Sequence, residues 1–195
     1  MRYILLALFI SLSVNIFAQD SVDKKNIDKL VDENTELDTF KVLQPEKDHD
    51  EINRRVTRIL TRYHLKKFRL NDSLSSVIYD NFIESLDRNK MYFLKSDIDK
   101  FEQYREKFDD FLYSGNLEIP FEIFNTYKTR VNERIDYAIE RMNTEFDFSL
   151  EESFKPDRED EPWAETEAEI EDEWRKRLKN STLNKLLADD SLKKA

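Results

Sequence analysis

His49 and His64 are the only two histidines in the chain, and cysteine is absent. A zinc site of ordinary kind would need both imidazoles plus carboxylates, and a Ser-His-Asp triad would depend on the same two rings. Both histidines read as surface or core residues. Gly115 is the single glycine. Loops that cradle a phosphate need several glycines so that the backbone can approach closely, so a P-loop and a dinucleotide fingerprint are excluded. An EF-hand loop is likewise missing. Serine and lysine are plentiful, which leaves a Ser-Lys pair open by counting alone. Nothing resembles the glycine-built nucleophile elbow or oxyanion loop that would accompany one. With 42 acids, paired carboxylates for glycoside hydrolysis are easily imagined. These acids sit in runs such as DREDE, which read as solvated loops. The expectation is a chain with no catalytic, cofactor-binding or metal-binding residue.

The segment RRVTRILTRYHLKKFRL interleaves basic and aromatic residues, as nucleic-acid surfaces do. The whole chain carries a net charge of −10, which repels phosphate backbones and anionic lipid heads. The basic segment is read as the polar face of an amphipathic helix, and no nucleic-acid partner is expected. The 14 Phe, 8 Tyr and 2 Trp supply a core despite 38% charged residues.

Residues 1–18 read as a secretory signal peptide. Arg2 is the short positive end, and Ile4 to Ile10 is an unbroken apolar run. The run is shorter than the ~20 residues that span a bilayer. Small Ala18 fits the position before cleavage, and acidic, polar sequence begins at Gln19. Without cysteine there is no lipid-modified anchor. The mature protein is expected to be periplasmic or otherwise exported, with no stable membrane anchor.

One glycine and four prolines favour long helices over turn-rich sheets. The fold class expected is all-α: a multi-helix domain with one short extended strap, preceded by the signal peptide. Residues 19–47 form a polar tether, and 48–195 the helical domain. Ile52, Val56, Ile59 and Tyr63 mark the apolar stripe of a first helix. Asn71 or Asp72 caps a second, which carries Leu74, Val77, Ile78, Phe82 and Leu86. A third starts at Ser96, with Asp99 at the reciprocal capping position, and carries Ile98, Phe101, Arg105, Phe108 and Leu112 to a stop at Gly115. Pro120 opens the longest helix, lined by Phe121, Phe124, Val131, Ile135, Ala138 and Met142. FDFSLEESF alternates with period two, as a short strand or a strap. Pro162 opens a last helix with Trp163, Ile170, Trp174 and Leu178 on one face. Leu183, Leu186 and Leu187 fall on another, so this helix either breaks near Asn180–Thr182 or passes from one neighbour to the next.

Six stretches in order carry a resemblance: RYHLKKFRL at 62–70, NFIESLDRNKMYFLKSDI at 81–98, FEIFNTYKTRVNER at 121–134, FDFSLEESF at 146–154, DREDEPWA at 157–164 and EWRKRLKN at 173–180. Over roughly residues 48–190 the chain resembles the N-terminal domain of tail-specific proteases, the C-terminal-processing peptidases of bacterial envelopes. The resemblance implies a helical domain that precedes a PDZ domain and a protease domain. The protease uses a Ser nucleophile with a Lys general base, and cleaves proteins recognised by nonpolar C-termini. In such proteins the helical domain helps form a bowl around the protease and, in some members, binds an adaptor. The sequence reaches Ala195 before any PDZ or protease segment, so no catalytic residue is carried over and no activity is expected from this chain alone. Its partners would be the remainder of the protease, protein substrates and a periplasmic adaptor, with Leu183, Leu186 and Leu187 as the interface. The alternatives are a free-standing exported interaction module and a carboxylate-using enzyme.

Sequencing the N-terminus of exported material should return Gln19 as the first residue. Retention of Met1 would overturn the signal peptide.

Overall fold

Asn71 stands in extended backbone, and its side chain accepts the Leu74 N–H at 3.1 Å. This satisfies one of the orphan donors that every helix start exposes. Such local rules build six α-helices and no named strand among the described residues of the computed structural model, which are 41–65 and 68–193, with side chains described to 188. The signal peptide, its Ala18–Gln19 junction and most of the tether lie outside them. The helices are α1 (His49–Tyr63), α2 (Asp72–Asp87), α3 (Lys95–Glu102), α4 (Phe108–Ser114), α5 (Glu118–Met142) and α6 (Glu167–Lys193).

The core is centred on Tyr79 and Ile83 of α2, Phe93, Phe101 of α3, Phe108 of α4 and Ile123 of α5. Tyr79 meets Phe108 edge-on at 5.7 Å, and the buried Phe93 ring is flanked by Tyr127 at 5.6 Å and Trp163 at 6.2 Å. Offset and edge contacts of this kind add to the area term of burial. The innermost line of α2 is Ser75, Tyr79, Ile83 and Asp87, one residue along from the expected stripe. Ile78, Phe82 and Leu86 pack beside that line, and Val77 is half-exposed.

Two polar residues on this inner line do structural work. The Ser75 hydroxyl donates to the Arg105 carbonyl at 2.9 Å and accepts the Phe108 N–H at 2.6 Å. It thereby holds a 3-10 turn, Arg105–Lys107, that interrupts the expected third helix. A continuous helix would have put Arg105 into the apolar stripe. The break swings it out, where it pairs with Asp80 at 2.6 Å. That helix also begins at Lys95 rather than Ser96, and its reciprocal capping residue is Asp97, which accepts the Leu94 N–H at 3.0 Å. Gly115 ends α4 at φ 80°, the left-handed conformation expected of it. A side chain there would also meet the Asp50 carbonyl at 2.7 Å.

At the other end of α2, Asp87 accepts three backbone N–H bonds, from Met91 and Tyr92 at 2.8 Å and from Phe93 at 2.9 Å. The chain winds round this buried carboxylate, with Lys90 in the left-handed region at φ 52°. Burial pushes the Asp87 carboxyl above its ordinary range, and the three amides draw it partway back.

Other expectations are corrected by the packing. The α1 stripe of Ile52, Val56, Ile59 and Tyr63 faces outward, and Thr57 is the buried residue. The reason is that α1 lies on the end of α4, where the last carbonyls need donors. Asn53 donates to the Phe111 carbonyl at 3.2 Å, and Arg54 to that of Ser114 at 2.9 Å. On α5 the buried positions are Ile123 and Arg134, while Ile135 and Met142 are exposed. Among the described residues the longest helix is α6, with 27 residues against 25 in α5. It starts at Glu167, not Pro162, with Thr166 accepting the Glu169 N–H at 3.2 Å. Residues 162–166 instead lie outside the helix, with Ala164 in an isolated bridge to Leu94 and its carbonyl accepting the Lys95 N–H at 2.8 Å.

Replacing Asp87 by Ala leaves three inward amides without an acceptor, each worth about 1–3 kcal/mol. Urea unfolding of Asp87→Ala should show a loss of about 3 kcal/mol or more, and Asp87→Asn, which keeps one acceptor oxygen, a smaller one.

Candidate interaction surface

The first half of α6 is fastened to the domain. Ile170 is fully buried beside Leu94 and Ala164, and the Trp174 indole N–H donates to the Met91 carbonyl at 2.7 Å. Arg130 of α5 reaches across with a two-point bond to Asp97, at 2.8 and 3.1 Å, and a third bond to Glu167 at 2.7 Å. Its neighbour Arg134, almost fully buried, also pairs with Glu167. Two cations from α5 thus fix the start of α6. The Asp97 carboxylate raises the Arg130 guanidinium well above its ordinary value.

The strap at 146–154 contains no strand: it is irregular, with a turn in which Asp147 accepts the Ser149 N–H at 2.9 Å. It is clamped to α6 through Glu152, whose carboxylate accepts bonds from Arg175, at 3.1 Å through one nitrogen, and from Lys179. Lys179 is mostly buried and sits 5.8 Å from the Phe148 ring. Arg175 first, then Lys179, holds the Glu152 carboxyl down at about 2. A shallow cavity of about 230 Å³ lies between strap and helix, lined by Phe148, Leu150, Phe154, Lys179 and Leu183 among others.

Beyond this clamp α6 continues without a break through Asn180–Thr182. Leu183, Leu186 and Leu187 are 39%, 50% and 59% exposed. The structure brings them together on one turn-to-turn face of the helix, with only Leu183 touching the strap cavity. Fully burying a leucine is worth about 1.5–3 kcal/mol, so covering what the three leave open is worth about 2–4 kcal/mol. His49 and His64 lie on separate parts of the first segment: His49 accepts the Glu46 N–H at 3.2 Å, and His64 packs on Phe68 at 5.5 Å. Among the described residues no group of three or more His, Asp or Glu side chains is placed to hold a metal ion. None of their helices is long and apolar enough to cross a membrane.

A family model described as the tail-specific protease N-terminal domain matches residues 56–195. The chain belongs to the tail-specific protease N-terminal domain family. It is 36% identical over 137 residues to the tail-specific protease of Haemophilus influenzae, an alignment covering 70% of this chain and 20% of that protein. The chain therefore spans about a fifth of that curated relative's length.

In this tail-specific protease N-terminal domain two polar clamps escaped a reading based on apolar spacing. One is Glu152 with Arg175 and Lys179; its signal was a pair of cations four apart on one helix face, opposite an acidic strap. The other is Asn125 of α5. Its amide oxygen accepts the Leu43 N–H at 2.9 Å, and its amide nitrogen donates to the Leu43 carbonyl at 2.8 Å. The last residues of the polar tether are thus laid along α5, with Lys128 adding a bond to the Lys41 carbonyl at 2.8 Å.

A depressed carboxyl contributes stability above its ordinary 4.5, and that contribution is lost as pH falls through about 2. The Glu152 carboxyl resonance should titrate near 2 by NMR, and Lys179→Met should move it toward 4.5. An unshifted wild-type titration would mean that the strap is not clamped in solution.

Proposed function

We propose that this domain is the non-catalytic N-terminal part of a periplasmic tail-specific serine endopeptidase, where it scaffolds the protease and contacts substrate or adaptor. Family membership supports the placement at the front of such a protein. The observation that carries the scaffolding role is the second half of α6. Its helix is continuous, its first half is fastened by Trp174, Arg130 and Glu167, and its leucines at 183, 186 and 187 are left open. A helix with two apolar faces needs both covered. The inner face, through Ile170 and Trp174, belongs to this domain. The outer one is assigned to the PDZ and catalytic parts, which lie beyond Ala195 in the same polypeptide.

The stakes are large on the scale of folding. About 2–4 kcal/mol is a sizeable part of the 5–15 kcal/mol that holds a typical domain together. Proteolysis itself, by a Ser nucleophile and a Lys base acting on proteins with nonpolar C-termini, is assigned to the parts that follow. The role of this domain is to fix their position and present a wall to the substrate.

Hydrogen exchange compares the full-length protein with this chain alone. Amides of 183–188 should be strongly protected in the former and weakly in the latter. In the full-length protein, Leu183→Asp with Leu187→Asp should lower proteolysis of an unfolded substrate ending in small apolar residues, while the circular dichroism of the isolated chain stays helical. Equal protection in both, or full activity of the double variant, would overturn the scaffolding role of this face.

A further inference from the structure

The outward face of α1 is unused by the fold. Ile52, Val56, Ile59 and Tyr63 are 54%, 48%, 57% and 71% exposed. At about 100° per residue they form one narrow line along the helix. Arg55, Arg58 and Arg62 form a parallel row on the edge turned away from the domain. On the other edge Leu60 and Val56 run into an apolar groove of about 400 Å³ shared with Phe68, Leu70 and Leu74. From Ile52 to Leu65 the chain has four arginines and no acid. Arg54 and Arg55 pair with Asp50 and Glu51 one turn earlier. Among the described residues Arg58 and Arg62 have no acidic partner, and Arg62 rests over the Tyr63 ring at 5.8 Å.

We propose that α1 docks the protein on the surface of an anionic phospholipid bilayer. The helix lies in the plane of the interface. Its apolar line enters between the headgroups, and Arg58 and Arg62 meet lipid phosphates. Low overall hydrophobicity, a sharp apolar line and a row of arginines beside it are what make a helix lie on a bilayer rather than cross it. The other occupants fit less well. A second copy's α1 brings the same positive charge. Nucleic acid gains nothing from Ile52, Val56 and Ile59, which offer no ring for a base to stack on. The net charge of −10 does not prevent docking, because charges farther than a Debye length of about 8 Å are screened while the arginine row is in contact. This inference concerns a different helix from the α6 face and does not depend on it.

The test is flotation of the purified full-length protein with vesicles. One set contains phosphatidylglycerol and phosphatidylethanolamine, the other phosphatidylcholine alone. Binding is expected to the first set only, and to weaken as salt rises. A basic residue at an anionic surface is worth about fivefold in affinity. Arg58→Glu with Arg62→Glu should therefore lower binding by at least about 25-fold. Ile59→Ser should weaken it with an unchanged melting temperature. Leu183→Asp with Leu187→Asp should leave it intact. Absence of binding to the anionic vesicles, equal binding to phosphatidylcholine, or full binding by the double arginine variant would each overturn the proposal. An acidic soluble protein that binds α1 while the vesicles do not would overturn it in favour of a protein partner.

Discussion

A single carboxylate organises this domain. Asp87 sits at the inner end of α2, where a helix would ordinarily leave its last carbonyls in need of donors. It gathers the amides of Met91, Tyr92 and Phe93 instead. Three charge-assisted bonds to one side chain define the path of six residues that have no repeating structure of their own. Everything downstream is referred to that path. Phe93 is delivered to the centre of the core, the Met91 carbonyl is aimed at Trp174, and Leu94 meets Ala164. The left-handed Lys90 is tolerated because the turn is held from three points at once.

Much of the architecture was readable from spacing, and the failures share one cause. Caps and stops followed local chemistry: Asn71 starts α2 and Gly115 ends α4 where they should. The helices exist where apolar residues recur at three and four. What spacing misjudged was direction. On α1 the apolar line faces water because the inward face is used to feed donors to the end of α4. On α5 a buried arginine, Arg134, stands on the inner face, while Ile135 is outside. On α2 the innermost positions include Ser75 and Asp87. An apolar stripe marks the inside only when the neighbour wants oil. Where the neighbour is the end of another helix, or a turn, the inside is polar. The same blindness hid the Glu152 and Asn125 clamps, since nothing in a hydrophobic pattern marks a side chain that binds backbone or a distant charge. The α6 leucines, read as a second face, do share one exposed side of an unbroken helix.

The interior of this protein therefore divides its labour. Aromatic rings supply the bulk of the buried area around Phe93, Phe101 and Phe108. Orientation comes from a few polar residues, each tying one element to the next: Ser75 to the 3-10 turn, Asp97 and Glu167 to α5, Trp174 to the Asp87 turn. Rings packed edge-on can slide, whereas a two-point bond such as Arg130 to Asp97 admits one geometry.

The placement of the last of these ties has a mechanical side. Lys179 is the final residue of α6 held firmly against the strap, and the helix runs on to Lys193. At 1.5 Å per residue the stretch beyond it is a rod of about 21 Å. A tilt of about 5° at the clamp carries its far end through about 2 Å. A pivot at the Glu152 clamp would multiply a small change in the strap by the length of the rod.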